Sequence, residues 1–236
     1  MQSLGGRLPG LQLGGRMRQP VRLFGTPLSN YYNKVKIALI ELERPFTEVL
    51  HLPGEQWPDK GSPSGKIPFL ETADGFIYES QAIVEYLEDT TPNHSCHPAS
   101  AMEKARCREL IQTIELYIEL PARRLYPAAF WGRPFQQNLA DDVLQEISHG
   151  LRILGRRALF SPWIGGNNFT HADAASWTHL TTVSNALRAL KQPDVLSEGI
   201  PNLRDYLKHA LTRPSIERAD NDLRQAWHNR NQKTTS

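Results

Sequence analysis

The sequence predicts an α/β domain followed by an all-helical one. Two observations lead there. Between Val21 and Thr91, short apolar runs bounded by turn residues alternate with stretches whose apolar residues recur at helical spacing. After Thr91-Pro92 the strand-like runs stop and only helical spacing remains. A chain of 236 residues is long enough for each domain to bury a core.

Val21-Arg22-Leu23-Phe24 reads as the first strand, closed by Gly25-Thr26-Pro27. Val35, Ile37, Ala38, Leu39 and Leu42 predict a helix over roughly residues 30–43, and Phe46 to Leu50 a second strand. Residues 52–66, with three Pro and three Gly, read as an irregular loop. Pro68 to Glu71 and Phe76 to Tyr78 flank the turn dipeptide Asp74-Gly75, which predicts a hairpin. Ala82, Ile83, Tyr86 and Leu87 then share one helix face. The order is β-α-β-loop-β-β-α.

In the second half, Cys107, Leu110, Ile111, Ile114 and Ile118 stripe a helix that Pro121 is expected to end. Leu139, Val143, Ile147, Leu151 and Leu154 stripe the next. Thr170-His171-Ala172-Asp173 has the residues of a capping box, with Thr170 as N-cap and Asp173 bonding back. Leu203, Leu207 and Leu211 mark a fourth helix, and Pro214 suits the first position of a fifth. The expected division is a disordered extension over 1–19, the α/β domain over 20–92, the helical domain over 93–228 and a frayed tail over 229–236. Within the extension, Met17 reads as a second start and residues 1–16 as dispensable. Its glycines suit neither the apolar run of a signal peptide nor the amphipathic helix of an organelle presequence.

Composition narrows the function. Hydrophobic residues make up 39% and charged residues 22%, which excludes a disordered chain. No apolar run approaches the roughly 20 residues that a membrane-spanning helix needs. The 27 Lys and Arg against 25 Asp and Glu leave a net charge of +2, too even for a chain built to grip nucleic acid. Two cysteines, Cys96 and Cys107, make neither a disulfide framework nor a C-x-x-C pair, which points to a reducing, cytoplasmic setting. His94 and His97 flank Cys96, but without a fourth ligand in view the segment reads as a solvated linker and no metal is expected. Cys107 reads as a buried small hydrophobe. Arg123, Arg124, Arg152, Arg156 and Arg157 read as solvated helix faces with acids nearby.

Three junctions carry chemistry. Ser29 lies between the first strand and the first helix, where an anion meets unsatisfied backbone N–H groups and the positive end of the helix dipole. A hydroxyl donating to a sulfur there favours the thiolate and lowers its pKa from the usual value of about 8.5. Read alone, Ser29 is first of all a plain N-cap, a role compatible with the other. Ile67-Pro68 before a strand is either an ordinary trans bond or a cis bond that turns the Ile67 backbone toward a peptide ligand. Glu79-Ser80 opens the next helix, where Ser80 suits a carboxylate and Glu79 an ammonium group, or both merely cap.

Ser29-Asn30-Tyr31-Tyr32-Asn33-Lys34-Val35, Gly65-Lys66-Ile67-Pro68 and Glu79-Ser80-Gln81-Ala82-Ile83, in this order, resemble the cytosolic glutathione S-transferase family, in its bacterial-type, serine-active-site, theta/beta-like branch. The resemblance covers roughly residues 20–226, including Thr170 to Asp173 and Arg213-Pro214-Ser215-Ile216. It implies a thioredoxin-like domain that binds glutathione and a helical-bundle domain that supplies the second-substrate pocket. It further implies Ser29 as the thiol activator, a cis Ile67-Pro68 bond, and glutathione held by Lys66, Ile67, Pro68, Glu79, Ser80 and Gln56, with Lys60 a further candidate. Tyr117, Phe130 and Trp131 are the residues expected to border the electrophile, within a cluster that includes Tyr126 and Phe135. Glutathione would serve as co-substrate with no other cofactor, in a homodimer.

Departures sharpen the reading. The stretch from Gly54 to Lys60 is short for the family, which curtails its second helix. No cysteine stands near Ser29, which disfavours mixed-disulfide chemistry, and the Ser-Cys run of the maleylacetoacetate isomerase branch is missing. Tyr31 and Tyr32 follow the position of the family's tyrosine activator, where this chain has Phe24. The rival readings are another glutathione-dependent enzyme on the same site (peroxidase, dehalogenase or isomerase) and a non-catalytic binding module.

Overall fold

The computed structural model describes residues 20–55, 62–91 and 94–235. The expected extension over 1–19, and Gln56 and Lys60 of the short loop, lie outside the described residues.

The first half is β1 (Val21–Gly25), α1 (Asn30–Glu41), β2 (Phe46–Leu50), β3 (Phe69–Thr72), β4 (Gly75–Tyr78) and α2 (Ser80–Asp89). The sheet order is β2-β1-β3-β4. β1 runs parallel to β2, with Leu23 opposite Glu48, and antiparallel to β3, with Leu23 opposite Leu70. The parallel pair needs a crossover, which α1 supplies; the β3–β4 pair needs only the turn at Asp74-Gly75. This is a thioredoxin-like domain. Leu23, Val35, Leu39, Leu70, Ile83 and Leu87 form its core.

The second half is all helical. It begins with α3 (Ala101–Ile114), opened by a capping box between Ser100 and Glu103. The axis does not end at Pro121 as the sequence predicts. It passes through a π turn (Glu115–Glu119), α4 (Leu120–Ala122), a 3₁₀ turn (Arg123–Leu125) and α5 (Tyr126–Trp131), which Gly132 closes in the left-handed conformation. A proline breaks a helix because it lacks an N–H and crowds the carbonyl four residues back, here that of Tyr117. The π turn bonds Leu120 N–H to Glu115 O, five residues back, and so resets the ladder just before the proline. The Tyr117 carbonyl meets Gly150 instead, where a Cβ would lie 2.2 Å from its oxygen.

α6 (Gln137–Leu154), α7 (His171–Ala189), α8 (Val195–Gly199), α9 (Leu203–Ala210) and α10 (Pro214–Thr235) complete the chain. Thr170 and Asp173 make the expected capping box on α7. Asp173 also accepts from the Ile164 N–H at 2.7 Å and the Tyr206 hydroxyl at 3.0 Å, so one buried carboxylate ties three segments together. α10 continues through the tail that was expected to fray. A core of Ile111, Ile114, Ile118, Val143, Trp177 and Leu180 fills the bundle.

α1 is shared by both cores: Ile37 packs into the helical bundle while Val35 and Leu39 face the sheet. Its Lys34 and Lys36 are therefore almost fully buried. Each charge has a partner across the fold: Lys34 Nζ bonds Glu115 at 2.6 Å, and Lys36 bonds Glu48 at 2.7 Å and Asp222 of α10. Arg213 and Ser215 hold Glu41 at the end of α1, and Arg108 holds Glu85 of α2 with two bonds. The two halves meet through charge as well as through apolar packing.

Candidate active site

A cavity of about 850 Å³ opens between the halves, with the N-terminus of α1 at its floor. Ser29, the N-cap, is half-buried on its wall and accepts from the Tyr32 N–H at 3.3 Å. Lys66 and Ile67 face it from the loop before β3, and the Ile67-Pro68 bond is cis. Pro68 itself is buried behind them. Phe130 and Trp131 of α5 form an opposite wall with Tyr126, and α10 contributes Leu223 and Trp227. Phe130 and Trp227 pack with their rings tilted by 49°, 5.5 Å between centroids, and the Arg230 guanidinium fixes α10 to α5 by donating to the Phe130 carbonyl at 2.9 Å.

Glu79 and Ser80 stand beyond the cavity wall, at the start of α2. Ser80 is buried and accepts from Lys34 Nζ at 3.3 Å. Glu79 is exposed and takes φ 66°, ψ 121°, a backbone that L residues rarely adopt. Tyr117 does not join Phe130 and Trp131. It borders a separate shallow depression with Leu116, Pro121 and His149, because the π turn rotates it to the outer face of the helix. Phe135 is exposed and is not among the cavity's lining residues.

The sequence reading missed a buried polar chain under the floor. Asn30, the first residue of α1, donates from Nδ2 to Glu119 Oε1 at 2.9 Å and to His179 Nδ1 at 3.0 Å. His179 with an accepting Nδ1 carries its proton on Nε2, which lies 3.2 Å from Glu115. Glu115 takes Lys34, and Lys34 reaches Ser80. Burial would raise the Glu115 carboxyl, but Lys34 and His179 beside it bring it down to about 2. The chain links the Ser29 end of the floor to Ser80. One signal could have exposed part of it: Glu115 and Glu119 sit four residues apart in an otherwise apolar stretch.

Arg123 is only partly solvated, with the expected acid as its partner. It faces the cavity, bonds Glu119 at 2.8 Å and lies 4.8 Å from the centre of the Tyr31 ring. Tyr31 donates its hydroxyl to Glu119 at 2.8 Å, and burial first, then the charges of Glu119 and Glu115, push the phenol well above its ordinary range. Tyr32 donates to Glu48 at 2.6 Å and is pushed up likewise by burial and that bond. A phenol whose proton is committed to a carboxylate is a poor donor to a sulfur anion.

Fold and site thus define a two-domain protein of the thioredoxin-like class, with a ligand cavity at the domain junction. Residues 23–95 match the glutathione S-transferase N-terminal domain and residues 137–209 the glutathione S-transferase C-terminal domain. A glutathione S-transferase of Pseudomonas putida is 41% identical over 155 residues, covering 65% of this chain and 70% of that one. Among solved structures, poplar glutathione transferase F1 superposes with a TM-score of 0.73 at 21% identity, over 87% of this chain and 99% of that one. A Methylobacterium radiotolerans glutathione S-transferase, solved in complex with glutathione sulfonate, gives 0.67 at 25% identity, over 85% and 94%. The chain belongs to the glutathione S-transferase family.

Proposed function

We propose that the protein is a glutathione transferase in which Ser29 activates the thiol of bound glutathione for attack on an apolar electrophile. The observation that carries this reading is the position of Ser29, at the N-terminus of α1 and on the wall of a cavity whose far side is aromatic. A sulfur seated there receives the Ser29 hydroxyl and the positive end of the helix, both of which favour the anion. The Ile67 backbone, freed by the cis bond, pairs with the main chain of the tripeptide, and Lys66 attracts its glycine carboxylate. Ser80 donates to the γ-glutamyl carboxylate while Lys34 donates to Ser80 from behind, and Glu79 takes the ammonium group.

The electrophile packs against Tyr126, Phe130, Trp131 and Trp227, and the thiolate forms a carbon–sulfur bond as the leaving group departs. Lowered pKa and proximity supply the catalysis, with no covalent enzyme intermediate. A cytoplasmic homodimer is the setting that accompanies this reading. No described helix is long and apolar enough to cross a membrane.

The test is the ultraviolet absorbance of the glutathione thiolate in the complex, followed against pH. We expect a midpoint below that of free glutathione, moved most of the way back in Ser29→Ala. An unshifted midpoint in the wild type would reduce Ser29 to a helix cap and favour a binding module.

A further inference from the structure

We propose that Glu88, Cys96, His97 and His171 form a zinc-class metal site at the junction of the two domains, remote from the glutathione cavity. A carboxylate oxygen of Glu88, the Cys96 sulfur and a ring nitrogen of His171 lie within 4.8 Å of one another. They come from the last turn of α2, the segment joining the domains and the first residue of α7. The segment expected to be a solvated linker is instead packed: Cys96 is buried, and the His97 side chain is only 3% exposed.

His97 supplies an independent pointer. Its Nε2 lies 3.2 Å from Glu85, while its buried Nδ1 has no hydrogen-bond partner among the described residues. Its ring stands edge-on to that of His171, 5.1 Å between centroids. One nitrogen on a carboxylate and the other bare is the arrangement of a ligating imidazole with its supporting acid. Glu85 is itself held by Arg108 and Gln81, so the support is fixed.

Charge points the same way. The Glu88 side chain is 7% exposed, and its bonds come from the Ser95 hydroxyl at 2.7 Å, the Cys96 N–H at 2.8 Å and His171 at 2.5 Å. No Lys or Arg pairs with it among the described residues, whereas Arg108 and Arg213 offset the neighbouring Glu85 and Glu41. The Glu88 carboxylate is thus buried among hydrogen-bond donors with no full counter-charge from Lys or Arg. A dication would supply it. Thiolate, imidazole and carboxylate together select Zn²⁺ or Co²⁺ over the oxygen-seeking Mg²⁺ and Ca²⁺. Tetrahedral zinc spaces its ligand atoms about 3.3–3.8 Å apart, so the Glu88, Cys96 and His171 atoms close by about 1 Å and the His97 ring must swing further to join them. Binding releases the Cys96 thiol proton to solvent, and His171 carries its remaining proton on Nδ1. The metal would staple α2, the connecting segment and α7, with no part in the transferase chemistry.

The test uses the full chain, stripped of metal and free of glutathione, which chelates zinc itself. With Zn²⁺ we expect one equivalent retained through desalting and a raised melting temperature. With Co²⁺ we expect a sulfur charge-transfer band in the near ultraviolet and intense tetrahedral bands in the visible. Cys96→Ala should abolish the charge-transfer band, and Glu85→Gln should weaken binding by about tenfold. A wild-type protein that retains no zinc, or whose cobalt spectrum lacks the sulfur band, overturns the site whatever the variants do. So does zinc uptake that Cys96→Ala leaves unchanged. Each readout is independent of turnover.

Discussion

Glu79 holds a left-handed backbone, φ 66°, next to the helix that presents Ser80. Keeping a residue with a Cβ there costs on the order of 1–3 kcal/mol, so the fold sustains a strained carboxylate where the proposed ligand carries an ammonium group. Glu79→Gly removes both strain and charge. We expect its melting temperature to be equal or higher while the dissociation constant for glutathione, by calorimetry, rises at least several-fold. A loss of stability with unchanged affinity would make Glu79 a structural residue instead. That Ser29, Ile67 and Glu79-Ser80 lie at element boundaries was legible in the sequence, because turn and capping residues mark each boundary locally. Glu119 and His179 were not: they serve Asn30 across 89 and 149 residues, and no spacing encodes that. Arg123 reads as a surface cation until α1 brings Tyr31 beneath it.

The elements of the α/β half follow the sequence closely, since period and turn residues agree there. The long axis from α3 to α5 does not. Pro121 signals a stop, and only the close approach of α6 shows why the chain continues. That approach depends on Gly150, whose missing Cβ leaves room for the Tyr117 carbonyl. Gly150→Ala must push α6 off the π turn, at a cost of about 1–3 kcal/mol. We expect a lower melting temperature by calorimetry and, because the same axis carries Phe130 and Trp131, weaker binding of an aromatic product. An unchanged melting temperature would show that the helices part without penalty. Tyr117 belongs to the same lesson: aromatic character marks it as a pocket residue, but one extra residue per turn carries it to the other face.

Across the whole molecule, carboxylates fasten one half to the other. Bonds to Arg108 hold Glu85 at about 2, while Glu88 and Glu115 reach about 2 against burial through His171 and Lys34 respectively. A carboxyl lowered on folding contributes stability that is complete above its usual value near 4.5 and lost as pH falls toward 2. Asp173 has the opposite sign: burial raises it from 3.8 to about 6, so its ionisation subtracts stability as pH rises across that window. We expect melting temperature to climb steeply from pH 3 to about 4.5, then to dip slightly toward pH 6 as Asp173 ionises, and level off. Glu115→Gln should flatten the acid limb and cost about 3 kcal/mol at neutral pH by leaving Lys34 buried without its charge partner. A parallel acid limb in that variant would mean that Glu115 carries none of the dependence.

The aromatic wall closes on Trp227 and Leu223, which belong to α10, the last helix of the chain. Ser29 precedes Trp227 by 198 positions, and the sheet is finished at Tyr78. On the ribosome the order of emergence therefore matters. A nascent chain can shape its α/β half while the cavity still lacks a side, and the cavity becomes whole only after Arg230 has left the exit tunnel and docked on Phe130.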